Sequence, residues 1–261
     1  MPSKVFYGEP GRVTQPSPSV WGDCPQELLA QFGAGLFVHK DFDGSDATLP
    51  GLANDGDAPT FGYSSVGDTV LDIVTGSVDN NAAAIFTRPL DLVQKNSGVK
   101  VWAEASIALA AVADQGVYFG LAELAALDLD VVADDAGDVA AESVIGFLQA
   151  ADDTDAFDAI TRVDAGATTE VLADVTNASA IPAPERASVA ADTFVKLGVR
   201  FDGRENLEFY ANGVKVASLT PDDTIDQAKS YGAILGVKTG AAASRTVRVE
   251  FFRAASYDTN A

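Results

Sequence analysis

The sequence has very few of the residues that most catalytic and metal sites use. It contains one cysteine, Cys24, and one histidine, His39, among 261 residues. A single cysteine excludes a disulfide framework within the chain, and a single histidine excludes a histidine-rich metal site. Basic residues are also scarce, since 17 lysines and arginines stand against 38 acids, for a net charge of −21. Because binding to a phosphate backbone needs clustered positive charge, we expect no DNA or RNA partner.

The sequence also lacks the patterns of export and membrane insertion. Residues 1–10 have no basic stretch followed by an apolar one, so we expect no secretory signal peptide. The most apolar interval, 107–132, is interrupted by acids that would be too costly inside a bilayer. With 47% apolar residues, the chain is nevertheless able to bury a substantial core. We therefore expect a folded protein without membrane contact.

Charge is distributed unevenly along the chain. Residues 121–192 hold sixteen acids and two basic residues, whereas residues 193–261 hold eight acids and nine basic residues. Acidic runs of this kind are usually solvated surfaces that keep a protein soluble. Three arginines near the end of the chain are either a modest positive patch or, as we favour, charges on the solvent side of strands: Arg245, Arg248 and Arg253.

The N-terminal residues differ in composition from the rest. Five of the eleven prolines lie in residues 1–30, and proline cannot donate to a sheet ladder, so residues 1–34 are predicted to be an extended arm. A short helix over 26–32, with Asp23 as its N-cap candidate, is a further expectation. The arm either packs on its own domain or reaches a neighbour, and both would bury its apolar side chains. The predicted partner-binding residues are Val5, Phe6, Tyr7, Val20 and Trp21.

From residue 35 onward the patterns predict short β-strands. Residues 99–107 alternate with period two, which places Val99, Val101, Ala103, Ala105 and Ile107 on one face. Further strands are predicted at 116–121, 143–149 and 194–202.

Two further patterns lie near the end of the chain. Asn212-Gly213 between residues 207–211 and 214–219 predicts a hairpin with a type I′ turn, because both residues accept positive φ. Residues 246–252 alternate, which predicts Val247, Val249 and Phe251 on one face. Many short strands without a βαβ rhythm predict an all-β fold, an antiparallel β-sandwich domain of the jelly-roll type at 35–261.

A search for catalytic groups gives weak signals. Cys24 and His39 are the only candidates for a nucleophile–base dyad, and we favour an ordinary thiol and an ordinary histidine. Glycoside hydrolysis needs two carboxylates that share a cleft. The candidate acids Glu104, Glu208 and Glu250 each stand alone on a predicted strand. We therefore expect no catalytic site.

Calcium is the remaining cofactor candidate for so acidic a chain. Residues 41–46 imitate the start of a calcium-binding loop, but Gly44 comes too early and Leu52 stands where the loop needs a bidentate glutamate. A structural calcium stays open without support from a motif, and we expect no other cofactor.

Several segments resemble a known class of protein. Residues 193–203 and 207–214 resemble the closing strands of concanavalin-A-like, laminin-G-like jelly rolls, and residues 101–105, 118–122 and 144–147 fit the same order. Together they are similar to the head decoration (capsid cement) proteins of tailed bacteriophages. The resemblance implies synthesis in the host cytoplasm, a location on the capsid exterior, the major capsid protein as partner, a homo-oligomer for which a trimer is the natural guess, and no catalysis.

Two alternatives remain at this stage. A carbohydrate-binding, lectin-like module of a phage tail or fibre would use aromatic platforms, for which the candidates are Trp102, Tyr118 and Tyr210. A hydrolase that depends on Glu104 ranks last.

Overall fold

The structure of the chain is a computed structural model. It describes residues 17–26, 29, 35–42, 52–57, 59–64, 70–123, 131–140, 143–153, 156–164, 166–182, 186, 189–221 and 225–260. Short helical turns occur, among them α1 (Pro18–Trp21), but strands dominate. Within these residues no helix has the length and apolar composition to cross a bilayer.

Sixteen strands lie in the described residues. They are β1 (Gly35–Asp41), β2 (Leu52–Gly56), β3 (Thr60–Tyr63), β4 (Leu71–Val74), β5 (Ala82–Thr87), β6 (Asp91–Leu92), β7 (Val99–Leu109), β8 (Gln115–Glu123), β9 (Val144–Gln149), β10 (Asp158–Arg162), β11 (Thr169–Leu172), β12 (Val195–Phe201), β13 (Leu207–Ala211), β14 (Val214–Leu219), β15 (Ser230–Thr239) and β16 (Thr246–Asp258).

The strands form two sheets, and within each sheet all neighbouring strands of the described residues pair antiparallel. Sheet A has the order β14-β13-β12-β7-β16-β4-β3, and β1 also pairs with β16. Sheet B has the order β11-β10-β9-β8-β15-β5-β2, and β6 also pairs with β15. This architecture confirms the predicted all-β antiparallel sandwich.

The main hydrophobic core lies between the two sheets. Phe119 of sheet B meets Phe252 of sheet A edge to face, with ring centroids 6.0 Å apart. Phe147 and Phe209 make the same contact across the sheets at 5.7 Å. Aromatic pairs prefer this perpendicular geometry, because the positive ring edge then faces the negative ring face. The two pairs tie β8 and β9 to β16 and β13 through the core.

The predicted patterns are confirmed in the centre of the sandwich. Val99, Val101, Ala103, Ala105 and Ile107 of β7 all belong to the core, as their period-two spacing predicted. Strands β8, β9 and β12 lie where short strands were predicted. The β13–β14 hairpin is present as well, and its turn has φ of 50° at Asn212 and 77° at Gly213.

The predicted facing of the last strand is wrong after its fourth residue. The register between β16 and β7 shifts between Val249 and Phe251, so that the strand carries an extra residue there. After this bulge Phe252 joins the core, and Phe251 lies outside it with the Arg253 guanidinium 5.0 Å from its ring. A one-residue insertion reverses the inward and outward positions, which an unbroken alternation cannot show.

Some predictions fall outside the described residues. These are the partner-binding roles of Val5, Phe6 and Tyr7, most of the helix predicted at 26–32 and most of the calcium-like segment 41–46.

Candidate functional site

The outer face of sheet A carries the N-terminal segment of the chain. Val20 and Trp21 of α1 are buried in a small cluster with Trp102 of β7, Tyr210 of β13 and Ala255 of β16. The side chains of Trp102, Tyr210 and Ala255 point away from the main core, so this apolar outer face of the sheet must be shielded from water by another segment. The helical turn α1 provides that cover.

A buried carboxylate fixes the start of this segment. Glu104 of β7 accepts the Ser17 backbone N–H at 3.0 Å and the Trp21 indole N–H at 2.7 Å. Burial raises the pKa of Glu104, and this effect outweighs the opposing effect of the bonds from Ser17 and Trp21. Because the N–H just before α1 and the indole N–H at its end converge on one carboxylate, Ser17 and Trp21 are held at defined positions on the sheet.

A second carboxylate fixes the end of the same segment. Asp23 receives the Lys100 ammonium and the Arg200 guanidinium, both at 2.8 Å, and the Trp102 indole N–H at 3.1 Å. Partial burial pushes the pKa of Asp23 upward, but the donors from Lys100, Trp102 and Arg200 prevail and hold it below its usual range. The ionised form is therefore the one that the site stabilises.

These contacts bear on two of the predicted partner-binding residues. Val20 and Trp21 are buried against sheet A of their own chain, which is the first of the two arrangements considered for the arm. Asp23, the N-cap candidate, forms ion pairs with β7 and β12, while most of the helix that it would cap lies outside the described residues. Binding of a partner by the N-terminal residues, and the division at residue 34, stay predictions.

The ion pairs extend from Asp23 across the sheet. Arg200 also pairs with Glu208 of β13 at 3.2 Å, and Lys215 of β14 reaches the same glutamate at 3.2 Å. The Tyr210 hydroxyl donates to Glu208 at 2.7 Å, and burial together with this carboxylate raises the pKa of Tyr210 to about 12. The network therefore joins side chains from four neighbouring strands, β7, β12, β13 and β14.

A polar groove opens at the end of this network. It has a volume of about 430 Å³, and its walls come from the N-terminal segment, the start of β7, the loop after β12 and the end of the chain. The lining residues are Asp23, Gly98, Lys100, Arg200, Asp202, Arg204 and Thr259. An adjoining hollow of about 420 Å³ shares Gly98, Arg204 and Thr259 with it and adds Asn96, Gly203 and Asn260. We call the two together the sheet A groove.

Backbone hydrogen bonds join the segments that line the groove. The Gly98 N–H donates to the Gly203 carbonyl at 2.9 Å, and the Thr259 N–H donates to the Gly98 carbonyl at 3.1 Å. In addition, the side-chain amide of Asn260 donates to the Ser97 carbonyl at 2.9 Å. Gly98 has φ of +78°, and a Cβ there would lie 2.1 Å from the Asn260 side chain. The floor of the groove is therefore closely packed, and its shape is set by the backbone.

The catalytic candidates from the sequence have structural partners. Glu104 accepts hydrogen bonds from Ser17 and Trp21, and Glu208 pairs with Arg200 and Lys215. Glu250 accepts the Ser106 hydroxyl at 2.7 Å. Burial and the nearby Asp23 raise the pKa of Cys24 to about 12, which suppresses the reactive thiolate at neutral pH. His39 is exposed on β1, with its ring centroid 6.1 Å from that of Phe37.

Within the described residues, no group of three or more histidine, cysteine and acidic side chains is arranged to hold a metal ion.

The aromatic residues proposed as sugar platforms are not accessible. Trp102 and Tyr118 are fully buried, and Tyr210 is 4% exposed. Stacking of a sugar ring needs an open aromatic face, so these three side chains would have to be uncovered first.

Arg245 and Arg248, two of the arginines near the end of the chain, form ion pairs with aspartates. Arg245 pairs with Asp114 at 2.9 Å, and Arg248 lies beside Asp72 and Asp192. Arg253 lies over Phe251. The groove cations were not identified from the sequence, because Lys100 is far along the chain from Arg200 and Arg204 and the three form no local motif.

Comparison with known proteins shows the fold and no family. No family model matches the sequence, and no curated protein matches it. A protein of unknown function, SO2946 from Shewanella oneidensis MR-1, is 8% identical over 91% of this chain and 95% of its own, with a TM-score of 0.55.

Two further similar structures are a lectin and a glucanase. Peanut lectin is 13% identical over 85% of this chain and 97% of its own, with a TM-score of 0.53. A prokaryotic β-1,3-1,4-glucanase (lichenase) from a mouse hindgut metagenome is 12% identical over 85% of this chain and 99% of its own, also with a TM-score of 0.53. At such low identity these likenesses show the fold alone, and that fold is the concanavalin-A-like jelly-roll sandwich.

Proposed function

We propose that this chain is a non-enzymatic structural protein of a phage virion, which binds the outer surface of the capsid and stabilises it. The observation that carries the proposal is the attachment of Ser17 and Trp21 to Glu104 on sheet A. This attachment gives the residues before Ser17 a fixed starting point on one face of the sandwich. Val5, Phe6 and Tyr7 then supply the apolar contacts with the major capsid protein.

The binding free energy of such attachment is modest for each copy, but many copies together stabilise the shell substantially. Burying one large apolar side chain contributes about 1.5–3 kcal/mol, so three of them suffice for a weak contact. A protein that binds only the assembled shell stabilises that state by mass action. If the chain is a homo-oligomer such as a trimer, several arms bind at once and their affinities reinforce one another. The net charge of −21 would make the decorated surface repel other particles.

The experiment compares binding to empty capsids of the parent phage by co-sedimentation. Removing residues 1–16 leaves Ser17 and the buried cluster of α1 in place, whereas a deletion through residue 30 would also remove Val20 and Trp21. We expect the chain without residues 1–16 to keep its melting temperature and to lose at least tenfold in affinity.

Point variants make the same test without shortening the chain. A combined Val5→Ser, Phe6→Ser, Tyr7→Ser variant should lose affinity in the same way. Val78→Ser is the matched control, because Val78 is 64% exposed and lies outside the N-terminal segment. If the shortened chain saturates the capsids with unchanged affinity, the proposal is wrong.

Carbohydrate binding is the second candidate function. Its support is the sheet A groove, whose lining of amide, hydroxyl and charged groups suits a hydrophilic ligand better than the buried aromatic residues do. A glycan array should then give hits that weaken when the groove is altered. An array without hits at high protein concentration would count against this candidate.

A further inference from the structure

We propose that the sheet A groove is a binding site for a carboxylate anion. Its lining contains three cations, Lys100, Arg200 and Arg204, against two carboxylates, Asp23 and Asp202, in a chain whose net charge is −21. An excess of positive charge is thus concentrated in one concave region of a strongly acidic protein. This inference rests on the groove itself and is independent of capsid attachment.

Both carboxylates in the groove are already used by internal donors. Asp202 accepts the backbone N–H groups of Arg204, Glu205 and Asn206 at 2.8, 3.0 and 3.0 Å, and its other oxygen accepts the Asn206 amide at 2.6 Å. Burial pushes the pKa of Asp202 upward, but these donors prevail and lower it. Its negative charge is therefore bound to its own loop.

Asp23 neutralises only part of the charge beside it. One of its oxygens receives both the Lys100 ammonium and the Arg200 guanidinium, each at 2.8 Å. A lysine ammonium has three N–H donors, and the contact with Asp23 accounts for one of them. Lys100 can therefore direct a further donor toward the groove without giving up its ion pair.

Arg204 is the cation best suited to bind a ligand. Its side chain is exposed in the loop after β12, and it forms no ion pair within the described part of the chain. Its backbone is nevertheless fixed, because its carbonyl accepts the Asn96 N–H at 2.8 Å and its N–H donates to Asp202. A guanidinium on a fixed backbone presents two parallel donors, which match the two oxygens of a carboxylate.

Charge and size restrict the ligand. Arg200 is already paired with both Asp23 and Glu208, which leaves Arg204 and a free donor of Lys100 for the ligand. A singly charged carboxylate needs no more than these donors, whereas the second charge of a phosphate dianion would be repelled by Asp23 and Asp202. A volume of about 430 Å³ accommodates a small organic acid. The closely packed floor of Gly98, Gly203 and Thr259 lowers the ordering cost of binding, because these residues are already fixed.

The test is an NMR titration of the full chain at low, constant ionic strength, since salt screens exposed charges. The probes are sodium acetate, sodium gluconate and sodium phosphate, with sodium chloride as the reference. We expect saturable shifts of the Gly98, Arg204 and Thr259 amide signals with acetate and gluconate, and weaker binding of phosphate.

Two variants separate the groove from general charge effects. Arg204→Gln should weaken acetate and gluconate binding at least fivefold with an unchanged melting temperature, because the side chain is exposed. Arg88→Gln, at an exposed arginine away from the groove, should leave the binding unchanged. Shifts that do not saturate, that match those with chloride, that persist in Arg204→Gln or that favour phosphate would each overturn the proposal. Because no capsid is present, the result is separate from the fate of the proposed function.

Discussion

The outer faces of the two sheets are covered in different ways. On sheet B the cover is the segment 131–140, whose Val131, Val132, Ala136 and Val139 pack on an apolar surface. On sheet A the cover is the N-terminal segment, which combines a small apolar cluster with bonds to two carboxylates. Apolar packing has no preferred direction, whereas a hydrogen bond to a buried carboxylate fixes particular atoms.

The surface beneath the sheet B cover shows how close apolar packing becomes. Gly120 and Gly146 are paired across β8 and β9, and Tyr118 lies over them with its hydroxyl donating to the Leu121 carbonyl at 2.8 Å. A Cβ on Gly146 would lie 2.4 Å from the Phe119 carbonyl oxygen and 2.7 Å from the Tyr118 hydroxyl. This side of the protein leaves no room for a ligand at that pair.

The difference between the two covers indicates which outer face is able to bind a ligand. Apolar cover on sheet B removes its surface from water and supplies stability. The anchors on sheet A leave charged groups at the edge of the cover, where Asp23, Lys100 and Arg200 continue into the groove. We therefore propose the anion site on sheet A, beside the cover that begins at Ser17, and the following predictions test the contrast between the two covers.

The largest effect is expected on sheet B. Gly146→Val forces a side chain into the space of Tyr118 and the β8 backbone, and should cost about 4 kcal/mol of unfolding free energy or prevent folding. Gly62→Ala is the control, because nothing lies within 4 Å of a Cβ there. Denaturant unfolding measures both, and equal stability of the two variants would contradict the close packing of sheet B.

A smaller effect is expected for the apolar part of the sheet A cover. Trp21→Ala removes a buried ring and leaves Glu104 without its indole donor, which should cost about 3 kcal/mol. Trp21→Phe retains much of the packing and loses the N–H, so its cost should be about 1–2 kcal/mol. A loss below about 0.5 kcal/mol for Trp21→Ala in denaturant unfolding would show that the cover contributes no stability.

The next effect is a pH dependence at Glu104. Its pKa is raised by burial above the ordinary value of 4.5, so the folded state holds this proton more tightly than the unfolded state does. The contribution of Glu104 to stability should therefore fall as the pH rises from about 4.5 through the folded-state pKa. The measurement is the free energy of unfolding of the wild type minus that of Glu104→Gln across this range. A difference that rises with pH would mean that the carboxylate is not desolvated.

Asp23 should make the smallest contribution to stability, and this contribution should change with pH in the opposite direction to that of Glu104. Its pKa is lowered below the ordinary value of 3.8, so its contribution is present above that pH and is lost as the pH falls through the folded-state pKa. Since the side chain is 30% exposed, Asp23→Asn should cost no more than about 1 kcal/mol at pH 7, and less at high salt. Thermal unfolding in low and high salt checks this, and a cost that does not respond to salt would argue against the ion pairs.

The sequence predicted the strands better than the site. Alternation along β7 and the Asn212-Gly213 turn are local patterns, and both identified real elements. The bulge after Val249 in β16 was missed, because an inserted residue leaves the residue types unchanged while it reverses their facing.

The groove could not be predicted, because it exists only through long-range contacts. Asp23, Lys100 and Arg204 meet there only after β7 and β12 pair and α1 packs on them. The sequence shows Glu104 as a lone acid on its strand, but the role of this carboxylate depends on the backbone N–H of Ser17, which no side-chain pattern reveals.

The two tryptophans allow the most direct test of the anchored N-terminal segment. The Trp21 indole donates to Glu104 and the Trp102 indole donates to Asp23, so each reports on one carboxylate. In a hydrogen-exchange NMR measurement, both indole protons should exchange slowly, with the Trp21 signal moving in Glu104→Gln and the Trp102 signal moving in Asp23→Asn. A Trp21 indole proton that exchanges as fast as that of an exposed tryptophan would contradict the account.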